Sequence, residues 1–418
     1  MKNKATDCDD TPNRDLQLAE ALEEILRSCT VINEHELVDL TDALDRILAQ
    51  DIVAPKDVPG YDNSAMDGYA LAATSLPGSG SKSLQLIGKS LAGAPFPDTV
   101  GTDQCVRITT GGMLPAGTDT VVMQEHVELK EDNTVIVDDR HRAKQHVRYA
   151  DNDIAAGTSV FKAGRCLTAA DLGVIASLGI AQVSVNRKTR VAFFSSGDEI
   201  KALGEPLSAG EIYNSSRYSI GALIAQSGAE LVSTTVLKDD YTAIKKSLAD
   251  ATKQVDVIIT TGGVSVGEAD YIKDVFDEIG EIGFWKLAMK PGRPLAFGKS
   301  GDSVFFGLPG NPVSSMATFI QLVEPALQKI SGQHPLTEKI TLRATITDDI
   351  KKRPGRIDFQ RGVLSIKDGA HQVSTTGAQS SGQLSSMSVA NCFIVLPLEA
   401  GDISAGDIVT VQPFKRHY

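Results

Sequence analysis

The 418-residue sequence has few of the residues that build disulfide frameworks or soft metal sites. Its five cysteines are odd in number and scattered, and none forms a Cys-x-x-Cys pair, which speaks against both kinds of site. Reduced, buried thiols fit a reducing compartment. The seven histidines are also scattered, and the pair at 141 and 146 lacks a third metal ligand. No Ser-His-Asp or Cys-His combination indicates covalent nucleophilic catalysis.

Positive charge and long apolar runs are also scarce. Lysine and arginine number 41 against 53 acidic residues, a net charge of −12, which disfavours nucleic acid because phosphate backbones need a basic footprint. A small anion in a local basic pocket remains compatible with this charge. No run approaches the roughly 20 apolar residues of a membrane span, and the N-terminus lacks an apolar signal core. We therefore expect a cytoplasmic protein without a membrane or nucleic-acid partner.

What is abundant is the pairing of buried strands with glycine-rich turns. Apolar runs beginning at residues 190, 255 and 303 each end in such a turn, and segments 214–228, 241–253 and 270–280 have helical periodicity. This alternation predicts a doubly wound parallel sheet with helices on both faces, over residues 187–332. Ligands of such sheets bind beyond the carboxyl ends of the strands, where these glycine turns lie.

The remaining sequence predicts further domains, because 418 residues exceed what one core usually organises. Short β-like runs indicate an inserted β-rich domain at 61–143, and residues 14–60 plus 144–186 could form one discontinuous domain around it. Alternating strands over 336–418 predict an all-β C-terminal domain. Helices are expected at 16–26, at 40–49 after a Thr41 cap, and at 168–178 between a Thr168 cap and Gly179.

Acidic residues follow the glycine turns of the central sheet. The glycines around 262–267, with Ser265, suit a phosphate, and nearby carboxylates would repel a phosphate unless a cation such as Mg²⁺ intervened. Helix capping is the alternative role for these acids. The candidate carboxylates are Asp198, Glu199, Asp239, Asp240 and Asp270.

A basic, proline-flanked loop lies at 286–294. Lys286, Lys290 and Arg293 fall within eight positions, and the prolines hold the backbone extended, which favours a preorganised oxyanion site over a plain solvated loop. The segment 58–70 is unusual in another way, since four short polar side chains fall within six positions. It predicts either an Asx-turn network or a loop that presents carboxylates to a metal or partner.

Several ungapped motifs occur together in one order along the chain. They are Asp-Asn-Ser-Ala-Met-Asp-Gly-Tyr at 62–69, Arg-Ile-Thr-Thr-Gly at 107–111, Ser-Gly-Asp-Glu at 196–199, Thr-Gly-Gly-Val-Ser-Val-Gly-Glu-Ala-Asp-Tyr at 261–271, Lys-Pro-Gly-Arg-Pro at 290–294 and Leu-Pro-Gly-Asn-Pro at 308–312. This set closely resembles the molybdopterin molybdenumtransferases, the family that includes the E domain of gephyrin. The resemblance implies an elongated discontinuous domain, an inserted β-rich domain, an α/β domain and a C-terminal β-barrel. It also implies a homodimer whose active site lies between the α/β domain of one subunit and the inserted domain of the other.

The implied reaction is Mg²⁺-dependent: adenylylated molybdopterin and molybdate give molybdenum cofactor and AMP. The functional residues that the resemblance implies fall into four groups, with Asp240 as an alternative register for Asp239 and with Arg293 standing where the family often has lysine. They are catalytic Asp62, Asp153, Glu199, Lys286 and Lys290; substrate-binding Thr110, Arg148, Gly262, Gly263, Ser265, Pro309 and Pro312; metal-binding Glu199, Asp239 and Asp270; and molybdate-binding Lys290, Arg293, Arg356 and Ser381. Expected partners are a molybdopterin adenylyltransferase and downstream cofactor-handling proteins.

The sequence is compatible with two other functions. The chain could be a non-catalytic molybdopterin-binding or scaffold protein on the same fold, although the candidate carboxylates and the basic loop are all present. It could also be an adenylyltransferase, although the additional domains at both ends argue against that.

Overall fold

The structure is a computed structural model that describes residues 15–237, 240–262, 275, 278 and 280–414. The described residues fall into a larger unit, within Met1–Glu36, Asp45–Ile47 and Val185–Tyr418, and a smaller unit, within Leu37–Leu44 and Leu48–Ser184. None of the described helices is long and apolar enough to cross a membrane.

The helices of the described part are α1 Leu18–Ser28, α2 Ala169–Ser177, α3 Ser215–Gln226, α4 Tyr241–Ala251, α5 Pro312–Thr318, α6 Glu324–Ile330 and α7 Leu384–Val389. Short 3₁₀ turns occur at Leu40–Asp42, Ala73–Ser75 and Gln124–His126, and a π-helical stretch, Phe319–Val323, joins α5 to α6.

The strands are β1 His35–Asp39, β2 Ile52–Val53, β3 Asn63–Ser64, β4 Gly68–Leu71, β5 Ser81–Ser90, β6 Gln104–Ile108, β7 Thr120–Met123, β8 Val127–Leu129, β9 Thr134–Asp138, β10 Val147–Arg148, β11 Ser159–Phe161, β12 Gln182–Asn186, β13 Arg190–Ser196, β14 Ile200–Lys201, β15 Ile212–Tyr213, β16 Glu230–Leu237, β17 Val257–Thr261, β18 Glu281–Lys286, β19 Met289–Lys290, β20 Pro294–Ser300, β21 Ser303–Leu308, β22 Leu342–Ile346, β23 Ile357–Lys367, β24 Ala370–Thr375, β25 Cys392–Leu396 and β26 Ile408–Pro413.

The central sheet of the larger unit has the order β16-β13-β17-β21-β20-β18. Its first four strands are parallel, as the sequence predicts, whereas β20 runs antiparallel to both β21 and β18. A tight turn through Gly301, at φ 60°, joins β20 to β21, and so short a connection can only join antiparallel neighbours. The sheet is therefore mixed at one edge.

Helices cover both faces of this sheet, which explains the unbroken apolar runs of its strands. On one face, Val191 and Phe193 of β13 share a core with Ile220 and Ile224 of α3. On the other face, neighbouring residues of the same strand pack in a second core with Ile244 and Leu248 of α4. The predicted doubly wound α/β arrangement is confirmed, with the predicted helix at 270–280 lying largely outside the described residues.

The C-terminal region forms a closed barrel. Strands β23, β24, β22, β26 and β25 follow one another in the sheet, and pairing of β25 with β23 closes the ring. Ala344, Ile346, Val373, Ile394 and Val411 fill its interior. The predicted C-terminal β-barrel is confirmed, and the two-residue strand β19 joins it by pairing with β23.

The smaller unit contains a six-stranded sheet of order β7-β4-β6-β5-β9-β8. Its core includes Tyr69, Leu71, Leu84, Val122 and Val135. This sheet is the inserted β-rich region that the sequence predicts. The bounds of the four predicted domains stay predictions.

Two of the predicted helices outside the central sheet had opposite outcomes. The helix after Thr168 is confirmed, because the Thr168 side chain accepts a hydrogen bond from Asp171 N. The helix predicted at 40–49 is wrong, since only the 3₁₀ turn Leu40–Asp42 forms there. Asp45 has φ 61°, and Leu48 N donates to Arg165 O instead of to a preceding turn. The helical periodicity of residues 40–49 gives no sign that a backbone N–H of this segment bonds to a distant part of the chain.

Candidate functional site

The end of β13 carries the exposed carboxylate of Glu199 over a glycine. Gly197 has φ 141°, and a Cβ placed there would lie 2.5 Å from Glu199 Oε2. This backbone conformation favours glycine, and a Cβ here would displace the exposed Glu199 carboxylate. Glu199 forms no ion pair with any residue of the described ranges, so its oxygens are available to a cation.

The neighbouring strand ends at Gly262, which makes a second close approach. Gly262 has φ 87°, and a Cβ there would lie 2.7 Å from the Ser196 carbonyl oxygen. Its N–H donates to Leu308 O at 3.3 Å. Gly262, the first residue after β17, therefore lies beside the ends of β13 and β21 at the carboxyl edge of the sheet, where the sequence predicts it.

A buried hydrogen-bonded pair, Asn214 and Ser195, lies next to this edge. Asn214 Nδ2 donates to Ser195 Oγ at 3.0 Å, and Asn214 Oδ1 accepts from Arg217 N at 3.0 Å. The same side chain thus caps α3 and holds the last buried residue of β13. Loss of this asparagine would disturb both elements.

Of the three predicted metal ligands, Glu199 lies within the described residues. Asp239 and Asp270 lie outside the described residues, as do Gly263 and Ser265. In the described part of the chain, no group of three or more His, Cys, Asp or Glu residues is arranged to hold a metal ion. The exposed carboxylate oxygens of Glu199 are of the type that Mg²⁺ binds.

Asp240 is the alternative to Asp239 as the predicted metal ligand, and the structure gives it a structural role. Its Oδ1 accepts a hydrogen bond from Ala243 N at 2.7 Å, so it caps α4. The predicted capping role is therefore confirmed for Asp240. A carboxylate engaged at a helix N-terminus is less available to a metal, which favours Asp239 as the predicted ligand.

A basic cavity of about 500 Å³ lies in the larger unit, next to the loop after β19. Five basic and two acidic side chains line it: Lys290, Lys351, Lys352, Arg353, Arg356, Asp358 and Asp402. Lys290 Nζ lies 3.1 Å from Asp358 Oδ2. Two of the four predicted oxyanion ligands, Lys290 and Arg356, therefore lie at one cavity.

Backbone pairing and close packing hold the loop that carries Lys290. Strand β19 pairs with β23 in parallel, with Lys290 opposite Asp358. Gly292 has φ 105°, and a Cβ there would lie 2.5 Å from Thr318 Oγ1 of α5. The loop therefore packs too closely on α5 for any residue with a side chain at this position.

The other predicted oxyanion ligands, and Lys286, lie outside this cavity lining. Arg293 Nε and Nη2 donate to Asp15 at 3.0 and 2.9 Å, and these bonds raise the pKa of Arg293. The carbonyl oxygen of Ser381 accepts from Val313 N at 3.2 Å, at the start of α5. Lys286 is exposed at the end of β18.

Four predicted site residues, Asp62, Thr110, Arg148 and Asp153, lie in the smaller unit and are exposed, whereas Pro309 is buried and Pro312 begins α5 in the larger unit. Asp62 Oδ1 accepts from Ala150 N at 2.8 Å, which links segment 62–69 to the segment after Arg148. Thr110 donates twice to Asp67 Oδ1, from its N–H at 2.7 Å and its hydroxyl at 2.8 Å. Asp153 N donates to Val58 O at 3.0 Å, beside the antiparallel bridge between Val58 and Ile154.

The structure adds two acidic residues to the predicted set. Asp67 orients Thr110, and the two hydrogen bonds from Thr110 lower the pKa of Asp67. Asp358 faces Lys290 across the β19–β23 ladder. Asp67 lies inside a motif that the sequence already singled out, whereas Asp358 follows the second arginine of the Arg-Pro-Gly-Arg segment at 353–356 by two residues.

The matches to known families cover most of the chain. Residues 16–179 match the MoeA N-terminal region (domain I and II), residues 192–329 a probable molybdopterin binding domain, and residues 343–414 the MoeA C-terminal region (domain IV). Together, the fold and these regions define a multidomain protein of molybdenum cofactor biosynthesis.

Individual relatives agree with this class. The chain is 42% identical to a molybdopterin molybdenumtransferase of Haemophilus influenzae, over 96% of this chain and 98% of that protein. It is 31% identical to a gephyrin of Dictyostelium discoideum, over 93% of this chain but 61% of that protein. A crystal structure of the molybdopterin biosynthesis moeA protein from Pyrococcus horikoshii OT3 aligns with a TM-score of 0.83 at 27% identity, covering 96% and 100% of the two chains. The chain belongs to the molybdopterin molybdenumtransferase family, and it is an enzyme of that family.

Proposed function

We propose that the chain catalyses Mg²⁺-dependent insertion of molybdate into adenylylated molybdopterin, releasing AMP and molybdenum cofactor. The observation that carries this proposal is the basic cavity at Lys290 and Arg356, in the same unit as the glycine edge and Glu199. A tetrahedral dianion needs cationic donors, and a pyrophosphate needs backbone donors and a cation. The larger unit offers cationic side chains for the dianion, and a glycine turn with the Glu199 carboxylate for the pyrophosphate and its cation.

In the oxyanion half of the site, Lys290 and Arg356 bind molybdate. Arg356 offers paired N–H donors and Lys290 a point charge at the cavity wall. Arg293, from the loop after β19, and Ser381, from the serine-rich turn at 375–388, complete the proposed set. To bind the oxyanion, Arg293 must break its ion pair with Asp15. We therefore expect Arg293 to contribute less to oxyanion affinity than Lys290.

In the pterin half, Gly262, Gly263, Ser265, Pro309 and Pro312 receive the adenylylated substrate beside α5. Bound Mg²⁺, held by Glu199, Asp239 and Asp270, would supply charge that favours cleavage of the pyrophosphate. The exposed Glu199 carboxylate, which lies close to Gly197 at the end of β13, supports this assignment. Lys286 adds positive charge from the end of β18.

The smaller unit supplies the remaining proposed contacts. Thr110, oriented by Asp67, and Arg148 bind substrate, with Asp62 and Asp153 as acidic partners in catalysis. We propose that these residues act in a homodimer, with the four domains bounded as the sequence predicts. A cytoplasmic location, and exchange of substrate and product with an adenylyltransferase and downstream cofactor-handling proteins, complete the proposal.

The deciding experiment measures AMP release from adenylylated molybdopterin by purified protein, with Mg²⁺ and molybdate each present or omitted. We expect release only when both are present, together with a molybdenum-bearing pterin product. Absence of release despite binding of the adenylylated pterin would contradict the proposal and favour a carrier or scaffold role.

A further inference from the structure

Asp358 is a buried carboxylate in a cavity that is otherwise lined mainly by basic groups. Its side chain is 4% exposed, whereas that of its partner Lys290 is 46% exposed. Asp358 Oδ2 accepts hydrogen bonds from Lys290 Nζ at 3.1 Å and from Gln360 Nε2 at 3.2 Å. An ionised carboxylate is buried at a high cost unless it is paired in this way.

Two buried cations lie near Asp358 and bond only to neutral groups among the hydrogen bonds of the described residues. Lys352 Nζ donates to Ala400 O at 2.9 Å. Arg361 Nε donates to Ser386 Oγ at 3.0 Å, and its Nη2 donates to Ser380 O at 3.0 Å. Burial lowers the pKa of both cations, and the charge of Asp358 is the largest influence opposing that fall. Asp358 thus compensates more than one cation.

The second acidic residue of the lining is in a different environment. Asp402 Oδ2 lies 2.9 Å from Lys351 Nζ, and both side chains are more than half exposed. Water and salt screen such a pair, so it contributes little. Arg353 and Arg356 form no ion pair within the described ranges. Asp358 is therefore the carboxylate whose charge acts on the cavity with the least screening.

We propose that Asp358 is the resident counter-ion of the cavity: it holds Lys290 in the empty site, and an incoming oxyanion must compete with it for that ammonium. The inference rests on the proposed function, because it assumes that the cavity binds the oxyanion. Asp358 is a positioning residue that sets oxyanion affinity and compensates the buried cations while the cavity is empty.

The β19–β23 ladder gives this competition a fixed geometry. Lys290 and Asp358 are directly paired residues in that ladder, so their Cα positions are held by backbone hydrogen bonds. The flexible part is the lysine side chain, whose four-carbon stem lets the ammonium turn from Asp358 toward the cavity. The bound dianion then pairs with the Lys290 ammonium, while Asp358 continues to offset the charge of Lys352 and Arg361.

The test is oxyanion binding by the full chain without pterin. Molybdate and tungstate are titrated by calorimetry and thermal shift into the wild type, Asp358→Asn and the matched control Asp402→Asn. We expect Asp358→Asn to lower the Tm in oxyanion-free buffer and to bind oxyanion roughly tenfold more tightly, because the amide keeps an acceptor but removes the charge. Saturating oxyanion should raise its Tm more than that of the wild type. Asp402→Asn should change the affinity by less than about twofold.

The outcomes separate the two proposals. Oxyanion binding by the wild type with equal or weaker binding by Asp358→Asn would overturn the counter-ion role, whereas absence of binding by the wild type would count against the proposed function itself. A merely structural role for Asp358 would lower the Tm without tightening the binding.

If Asp358→Asn does not fold, wild-type protein with ¹⁵N-labelled lysine provides the measurement. The Lys290 ammonium resonance, assigned by its loss in Lys290→Gln, should shift when molybdate saturates the cavity. An unchanged resonance would show that Lys290 keeps Asp358 as its partner, which contradicts the competition.

Discussion

The glycine edge of the central sheet and the basic cavity beside the barrel are organised by different means. At the edge, Gly197 and Gly262 bring backbone and one carboxylate together, and Glu199 has no charged partner within the described residues. At the cavity, the buried carboxylate of Asp358 pairs with Lys290 and offsets the charge of buried cations nearby, while the exposed Asp402–Lys351 pair contributes little. One region is shaped by backbone conformation and the other by side-chain charge.

This difference fits the ligands that we propose for the two regions. A pyrophosphate can arrive with a divalent cation, so the protein needs to supply a close backbone approach and a few carboxylates. A free oxyanion brings no counter-ion, so the protein must keep several cations together in its absence. Keeping them together requires a resident acid, since uncompensated buried cations are costly.

Removing the carboxylate of the glycine edge should have the largest effect. We expect Glu199→Gln to lower kcat for AMP release by roughly 10²- to 10³-fold, because it removes charge where the leaving group is stabilised. Thermal stability should hardly change, since the side chain is exposed. Steady-state kinetics over a Mg²⁺ titration would measure the loss. The control is Glu211→Gln, whose carboxylate pairs with Lys201, and equal losses in both variants would refute the special role of the edge.

Removing the ammonium of the cavity should act on the other substrate. We expect Lys290→Met to raise the KM for molybdate by roughly 10- to 100-fold, because a close charge contact with a dianion is lost, while the pterin KM changes far less. Lys351→Met is the matched control, since that ammonium is highly exposed and already paired with Asp402. A similar rise in both KM values would contradict the separation of the two regions.

The effect of Arg293→Ala should rank below that of Lys290→Met. Its guanidinium is already committed to Asp15, so we expect a molybdate KM only about threefold higher, with the pterin KM unchanged. The same kinetic assay checks this order. A larger molybdate effect from Arg293→Ala than from Lys290→Met would move the centre of the oxyanion site toward Asp15.

A backbone change at the glycine edge should affect folding and pterin binding together. Gly262→Ala introduces a Cβ at φ 87° that would contact Ser196, so we expect it to cost about 1–2 kcal/mol for the left-handed conformation plus the clash. Denaturant unfolding measures the cost, and calorimetry measures the pterin affinity. Gly204→Ala is the control, since it has φ 90° but open space around its Cβ. Equal effects would mean that the conformation alone matters, without the close approach.

The smallest expected effect is a loss of oxyanion affinity at the cavity at alkaline pH. Burial lowers the pKa of Lys352, so its charge is lost below the pH at which an ordinary lysine loses a proton. The folded protein releases this proton before the unfolded chain does, so oxyanion affinity should fall, and the contribution of Lys352 to stability should rise, as the pH passes through the lowered pKa. Binding titrations from pH 7 to 10 should show a few-fold loss that is absent in Lys352→Met. A loss that persists in that variant would assign the titration to another group.

The strands and turns of the glycine edge were predictable because their signals are local. An apolar run that ends in glycine marks a buried strand and its turn within about ten residues. The family motifs likewise placed Lys290 and Arg356, which the structure brings to one cavity.

The charge pairs of the cavity were not predictable in the same way. Lys290 and Asp358 are 68 positions apart, and Arg293 and Asp15 are 278 positions apart, so neither pair leaves a periodic signal. The helix wrongly predicted at 40–49 has the same origin, because Leu48 takes its hydrogen-bond partner from Arg165. Ion pairs and hydrogen bonds between distant segments therefore could not be predicted from the sequence.

The hydrogen bond from Val313 N to Ser381 O joins the first turn of α5 to the serine-rich turn at 375–388 in the C-terminal region. Any rotation of the barrel against the sheet domain must lengthen this bond and expose its amide to solvent. The deuterium exchange rate of the Val313 amide therefore reports whether the two move as one body during turnover.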